Sequence, residues 1–422
     1  MKGLFMTAYN VAWAMALPFL ACSSRLRQGW IQRLCVQGFR EEVDVWIQAS
    51  SAGEAYLAAQ IVRSLSKRIN ARLLVTCSTA QGIEIFTKAT EAMEPGSKAR
   101  NIKTNYFPFD MPIIIKRALR IWRPRLMVLL ETELWPGLLA ACKSSHVPVL
   151  LINGRLSEKS LRRHARLGRV WQSIGPDRIL AISEADASRF KSLFPHASIG
   201  LMQNMKFDRI SFDSLDPGET SPLTSLVPPE SPFVVMGSVR KQEEADVLAV
   251  IEALLRQVPA AVVGLFPRHM HRVRRWTWLL QRAGLPFILR SEMDGPTQPG
   301  SIILWDVFGE LSKAYRVAVA AFVGGTLRPC GGQNFLEPLA TGLVPCIGPY
   351  WKNFLWVGEE ILEQGLVIQV KDRHDLVGAL IRGLGTKRPK AEVIRSARQY
   401  VEKRRGGTER ACREIESYLA RY

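Results

Sequence analysis

Short apolar runs that end in polar or glycine-rich turns, each giving way to a helical segment, recur along most of this 422-residue chain. One series is Val43–Gln48, Leu73–Cys77, Leu126–Leu130, Val149–Ile152 and Ile179–Ile182. A second is Phe233–Ser238, Ala261–Pro267, Phe287–Leu289, Ile302–Leu304 and Ala318–Val323. Runs this short, and apolar without alternation, suit strands buried on both faces, and the helices between them supply the crossovers that parallel strands need. The expectation is α/β, with two halves of similar size and a cleft between them. Polar residues cluster just after the strands, at the edge where open α/β sheets bind ligands.

Ser211 to Pro232 breaks the rhythm. It is rich in Ser, Pro and acidic residues, lacks periodicity and reads as an interdomain linker. Ala391 to Leu419 reads as helical and basic. The chain from Leu4 to Cys22 carries no charge, and Arg25, Arg27 and Arg33 follow it. Its length suits one membrane span, and the arginines favour a cytoplasmic side after it. A signal peptide and an apolar helix lying in the interface are the other readings. The expected organisation is a membrane-anchor segment at 1–23, a first Rossmann-like α/β domain at 24–210, a linker at 211–232, a second such domain at 233–390 and a helical tail at 391–422.

The net charge of +19 points to an anionic partner: nucleic acid, membrane lipid or substrate. No recognised nucleic-acid-binding module is present. The cysteines, at 22, 35, 77, 142, 330, 346 and 412, show no CxxC pair, as reduced thiols in a cytosolic compartment would not.

Several strand ends carry candidate chemistry. In Ala321–Pro349 an apolar run meets Gly324-Gly325, a second pair, Gly331-Gly332, follows, and Gln333 to Pro338 opens a helix. That pattern suits a phosphate site, with Glu337 placed to accept hydrogen bonds from ribose hydroxyls. Glu337 also fits a capping box with Asn334, or a cap of its own with Pro338 first in the helix. Glu54 closes the small-residue turn Ser50–Gly53. It is either a general base or a partner for the helix dipole. Glu131 and Glu133 suggest acid–base work, a metal or helix capping; no Asp or His cluster stands at matching spacing for a metal. Lys206 is read as the end of a strand, where a cation would neutralise a leaving phosphate or simply be solvated. Arg268 suits an anion clamp, and His269 and His271 lack a third zinc ligand. Phe308, Gly309 and Glu310 suggest backbone close to a ligand, although Glu310 also fits ordinary charge at a helix start.

In order along the chain, SSAGE (50–54), ETELWPG (131–137), NGRLSEKS (153–160), NMKFD (204–208), FPRH (266–269), FGEL (308–311), FVGGTLRPCGGQNFLEP (322–338) and GPYWKNF (348–354) resemble the motifs of the 3-deoxy-D-manno-oct-2-ulosonic acid (Kdo) transferases of lipid A assembly, glycosyltransferase family 30. The resemblance covers nearly the whole chain. It implies a GT-B fold, two Rossmann-like domains facing a cleft, 24–210 on the acceptor side and 233–390 binding the CMP-sugar, with an N-terminal membrane-anchor helix. It also implies an inverting transfer of Kdo from CMP-Kdo to the lipid A precursor (lipid IVA) at the cytoplasmic face of the inner membrane, with no bound metal or other cofactor. Anionic inner-membrane lipids are expected partners and nucleic acid is not. By resemblance Glu54 is the proton acceptor, and Glu131 and Lys206 stabilise the transition state. CMP falls to Pro267, Arg268, Phe308, Gly309, Glu310, Asn334, Phe335, Leu336 and Glu337. The chain departs from the family pattern at Gln333, where a histidine is common, and at Ser238-Val239-Arg240, where Ser-Thr-His is usual. It departs also at Phe308, which replaces a usual methionine, and in the motif ending at Glu54, where valines around the serine are common. A GT-B enzyme using another nucleotide sugar, or an inactive lipid-A-binding membrane protein, are the alternatives.

Overall fold

A computed structural model describes residues 2–91, 102–212, 222–385 and 388–421. The chain divides into two compact units, Met1–Arg209 with Arg404–Tyr422, and Ile210–Lys403. The first unit holds β1 (Val45–Ala49), β2 (Leu73–Cys77), β3 (Ile102–Tyr106), β4 (Leu126–Leu130), β5 (Val149–Gly154), β6 (Arg178–Ala181) and β7 (Ser198–Leu201). They form a seven-stranded sheet in the order β3-β2-β1-β4-β5-β6-β7. Every neighbouring pair is parallel. Trp46, Leu74, Met127 and Leu129 enter one core layer, while Val45, Ile47, Val75, Val128 and Leu130 enter the other. Burial on both faces is why these strands read as unbroken apolar runs. From β1 the chain winds to β2 and β3 on one side, then returns to place β4 on the other. The ends of β1 and β4 therefore flank the topological switch point.

The second unit holds β8 (Phe233–Val239), β9 (Val262–Pro267), β10 (Phe287–Leu289), β11 (Ile302–Leu304), β12 (Ala320–Val323), β13 (Cys346–Ile347) and β14 (Ile368–Gln369). Their order is β10-β11-β9-β8-β12-β13-β14, again with parallel neighbours. The switch point here lies between β8 and β12. Of the expected linker, 213–221 falls outside the described residues; Pro222–Leu226 is a 3-10 turn with Leu223 and Leu226 buried. The basic tail holds two helices, one in each unit. Lys390–Glu402 belongs to the second. Gly407–Arg421 belongs to the first, where Ala411, Cys412 and Ile415 join the core. Asp208 accepts the Gly406 and Thr408 N–H groups at 2.8 and 2.7 Å and so fixes the entry to that last helix.

The N-terminal helix, Lys2–Ala21, is long and apolar enough to cross a membrane. One stripe of it, Phe5, Met6, Trp13 and Leu17, packs against the first unit. Tyr9, on the same side, donates to Asp110 Oδ2 at 2.9 Å. Leu4, Val11, Met15 and Phe19 point away and stay exposed. Asp110 is buried and also accepts the Gly137 and Leu138 N–H groups at 2.9 and 2.6 Å, which caps the helix Pro136–Ser144. Gly137 is required there. A Cβ on it would sit 2.1 Å from the Asp110 carbonyl oxygen and 2.8 Å from Oδ1 of the same residue, so the backbone itself would have to shift.

Candidate active site

In the first unit the candidate residues come together at the switch point. Ser51 caps the helix Ala52–Arg68, and Glu54 is its third residue. The Glu54 N–H donates to Ser51 Oγ at 3.3 Å, and Ser51 O–H returns to Glu54 Oε1 at 3.0 Å. The Ser50 N–H donates to Glu54 Oε2 at 2.7 Å. Glu54 therefore serves the helix start, and its carboxyl is held at the carboxyl end of β1. Burial pushes its pKa up to about 7, and the nearby Glu133 and Glu131 charges add to the rise against the Ser50 and Ser51 hydrogen bonds.

Glu131 and Glu133 lie in the turn after β4 and take different partners. Glu131 adopts a left-handed backbone, φ 54°, as does Asn153 near the end of β5. Such conformations cost energy outside glycine and collect at functional sites. Glu131 Oε1 lies 2.5 Å from Lys206 Nζ, an ion pair rather than an aligned hydrogen bond, and Oε2 lies 3.2 Å from Arg155 Nη2. One buried carboxylate thus holds two cations. Lys206 is not at a strand end, as its position in the sequence had suggested. β7 stops at Leu201, and Lys206 sits in the 3-10 turn Met205–Arg209. That turn is pinned by the Asn153 and Asn204 side chains, which accept the Met205 and Lys206 N–H groups at 2.9 and 3.0 Å. Arg155 and Asn153 were not singled out from the sequence, although both stand in a polar triplet directly after an apolar run, which is the signal that would have found them. Glu133 meets the Ser50 hydroxyl and the Trp135 indole instead.

The pKa of Glu54 has a consequence for stability. Its folded value lies above the 4.5 of the free side chain, so the folded state holds the proton more tightly. Stability is lost as pH rises from the lower value through the higher one, and the full cost is present at pH 8. Glu54→Gln carries no such cost. The variant is expected to be more stable than the parent at pH 8 by about 1–3 kcal/mol, and to lose that advantage near pH 4.5. Paired thermal melts at the two pH values check this; an equal Tm difference at both would contradict it.

In the second unit the Gly324-Gly325 pair does not serve as an open phosphate cradle. The buried Glu243 carboxylate occupies it. Its Oε1 accepts the Gly325 N–H at 2.5 Å and the Arg240 N–H at 3.2 Å. A Cβ on Gly324 would lie 2.5 Å from that same oxygen. Burial raises the Glu243 pKa, and backbone N–H groups from Gly325, Arg240, Leu327 and Thr326 pull it back. Gly331 and Gly332 both stand at φ 89°, with Asn353 and Trp351 close against them.

Around that loop, Arg268 follows β9 and donates through Nε to Gln333 Oε1 at 3.0 Å. Pro267 is buried and Arg268 exposed. The short helix Leu336–Ala340 starts at neither position the sequence offered. Phe335 precedes it, and Asn334 accepts the Leu336 N–H at 3.2 Å while donating to Glu337 Oε1 at 2.9 Å. Pro338 then falls among the first helical residues, where an N–H would have no helical partner. Surrounding protein raises the Glu337 pKa and Asn334 and Arg268 pull it back, although the side chain reaches the surface. Glu310 is spoken for: Arg290 grips it bidentately at 2.9 and 3.1 Å, and Trp305 Nε1 donates at 2.8 Å. Phe308 projects into solvent beside Gly309, at φ 84°. Among the described residues no group of three or more His, Cys, Asp or Glu is placed to hold a metal ion.

A family model described as 3-Deoxy-D-manno-octulosonic-acid transferase (kdotransferase) matches residues 25–209. A 3-deoxy-D-manno-octulosonic acid transferase of Haemophilus influenzae is 28% identical over 383 residues, covering 89% of this chain and 87% of that protein. One from Bordetella pertussis is 28% identical over 387 residues, covering 89% and 87%. Among solved structures, a glycosyltransferase from Rickettsia africae shares the fold with a TM-score of 0.58 at 11% identity, covering 90% of this chain and 99% of that one. With two parallel seven-stranded sheets, the architecture is that of GT-B glycosyltransferases.

Proposed function

The chain belongs to the Kdo transferases, and from that premise we propose an inverting transfer of Kdo from CMP-Kdo to the lipid A precursor, with Glu54 as the base. The observation that carries the reading is the buried Glu54 carboxyl, poised near neutrality at the end of β1, beside the Glu131–Lys206 ion pair at the end of β4. A base with its pKa near the working pH combines a useful ionised fraction with a strong pull on the proton. Glu54 takes the proton of an acceptor hydroxyl. That oxygen forms a bond to the anomeric carbon of Kdo, and the bond from that carbon to the phosphate oxygen breaks, its electron pair leaving with CMP. Lys206 and Arg155 against a single carboxylate leave a net positive charge, suited to a departing phosphate or to the carboxylate of Kdo itself.

The second unit is the nucleotide-binding part. Arg268, steadied by Gln333, offers an exposed guanidinium to the phosphate. Phe308 offers a ring face, and Gly309 backbone that nothing crowds. Because Arg290 and Trp305 occupy the Glu310 carboxylate, Glu310 serves CMP through its main chain. Asn334 and Glu337 present polar atoms for the ribose, with the backbone of Phe335 and Leu336 beside them. The enzyme works at the cytoplasmic face of the inner membrane. The N-terminal helix supports attachment in the plane of the interface, since it lies along the first unit from Phe5 to Leu17 and leaves its other apolar face exposed. The charge of +19 adds attraction to anionic lipid. Donor choice tests the reading. CMP is expected to inhibit transfer competitively with the donor and UDP to have no effect; inhibition by UDP and not by CMP would overturn it.

A further inference from the structure

A directed chain of hydrogen bonds runs across the sheet to the turn after β4. It begins at a residue that can only donate, the Trp46 indole, whose Nε1–H bonds Thr76 Oγ1 at 2.8 Å. The Thr76 hydroxyl therefore passes its own hydrogen to Gln48 Oε1. With its oxygen used in this way, the buried Gln48 side chain donates through Nε2 to Ser50 Oγ at 3.2 Å. Ser78, which also accepts from Gln48 at 3.1 Å, donates to Ser50 Oγ at 3.3 Å. The Ser50 hydroxyl then has one direction left for its hydrogen, Glu133 Oε2. From the other side Trp135 Nε1–H donates to the same oxygen at 2.7 Å. Ser50 meanwhile gives its main-chain N–H to Glu54. One residue thus ties the two carboxylates together.

We propose that Glu133 is a positioning residue for the Glu54 carboxyl, fixed by the Trp46–Thr76–Gln48–Ser50 chain and by Trp135 and acting on Glu54 across Ser50. The proposal rests on the reading of Glu54 as proton acceptor. Donors aimed at Glu133 favour its ionised form, and in a chain of aligned hydrogen bonds each strengthens the next. Burial raises the pKa of Glu133, and the Ser50 and Trp135 donors pull it back. Its negative charge in turn raises that of Glu54. The other titratable and charged groups around Glu54 are Glu131, which raises it further, the Cys77 thiol at the end of β2, kept neutral by burial, and Lys206 and Arg155, which meet Glu131. Glu133 keeps Glu54 a stronger base than it would be alone. The Glu131–Lys206 pair is a separate device on the other side of the same turn.

The test is the pH profile of kcat/KM for the full chain with CMP-Kdo and lipid A precursor. Activity needs Glu54 ionised, so it falls as pH drops through the Glu54 pKa. Glu133→Gln keeps the shape and the acceptor oxygen but removes the charge. It is expected to move the acid limb to lower pH by about one unit, and to lower the alkaline plateau by about threefold, since a base weaker by about one unit loses less than about tenfold in rate. Glu133→Asp, which keeps the charge, is expected to restore most of the shift. Should Glu133→Gln not fold, Trp135→Phe removes one donor while keeping both carboxylates and should move the limb in the same direction. An acid limb that stays at the parent position in the folded variant overturns the inference. If Glu54→Gln is inactive in that same experiment, the role of Glu54 stands and only that of Glu133 falls; if Glu54→Gln is fully active, the role of Glu54 itself is wrong.

Discussion

Glu54→Gln is expected to lower the rate of transfer by about 10²–10⁴-fold, the usual contribution of a positioned general base, while leaving CMP affinity within about twofold. The two halves of that expectation come from different parts of the molecule. Glu54 lies in the first unit, held by Ser50 and Ser51, whereas the groups proposed to hold CMP lie after β9, β11 and β12 of the second. Glutamine keeps the acceptor for the Ser50 N–H but cannot take a proton at neutral pH. The Ser51 cap remains as well, so the helix start survives. The loss is thus chemical, and the melts at pH 8 described above should show a variant more stable than its parent. A dead enzyme that is better folded separates a catalytic role from a structural one. Activity within a few-fold of the parent, measured on folded protein, would contradict the assignment.

The second large effect belongs to Lys206. Lys206→Met is expected to reduce kcat by about 10²–10³-fold, the scale on which a single preorganised group stabilising transition-state charge acts. The variant also leaves the buried Glu131 carboxylate with Arg155 as its ion-pair partner among the contacts described, so a loss of stability accompanies the loss of rate. Removing one side of a buried pair typically costs about 3–5 kcal/mol, and the Arg155 contact should keep the figure below that range. The double variant Glu131→Gln/Lys206→Met separates the two effects: stability should return and kcat should not. Recovery of kcat along with stability would mean that Lys206 serves only to neutralise Glu131.

The central strands were legible because they are buried on both faces. Leu73–Cys77, Leu126–Leu130 and Ile302–Leu304 match the observed strands residue for residue, and so does Phe287–Leu289, a half-buried edge strand whose three residues are all apolar. β3, β7 and β14 were not seen. Ile-Lys-Thr-Asn-Tyr, Ser-Ile-Gly-Leu and Ile-Gln lie at or next to sheet edges, expose part of their surface and so carry no apolar run. β13, with only Cys346-Ile347, is too short to show a pattern. Glu54, Glu131 and Lys206 were marked by their places just after apolar segments. The partners Arg155 and Asn153 were not, since they reach Glu131 and the Lys206 turn from the end of a strand adjacent in space and distant in the chain. Glu243 shows the limit most clearly. In sequence it is an ordinary acid before a helix, and only the approach of β8 to β12 puts its carboxylate into the Gly324-Gly325 turn. The glycines read as a phosphate site, but the Gly324-Gly325 turn is filled by a side chain of the protein itself.

Incubation of the full chain with CMP-Kdo and lipid A precursor in lipid vesicles, with the product mass read directly, tests the central claim. The expected result is an acceptor heavier by one or more Kdo residues with CMP released, and no such product from Glu54→Gln. An acceptor of unchanged mass with the folded parent enzyme, or a product formed from a uridine-linked sugar in place of CMP-Kdo, would contradict it.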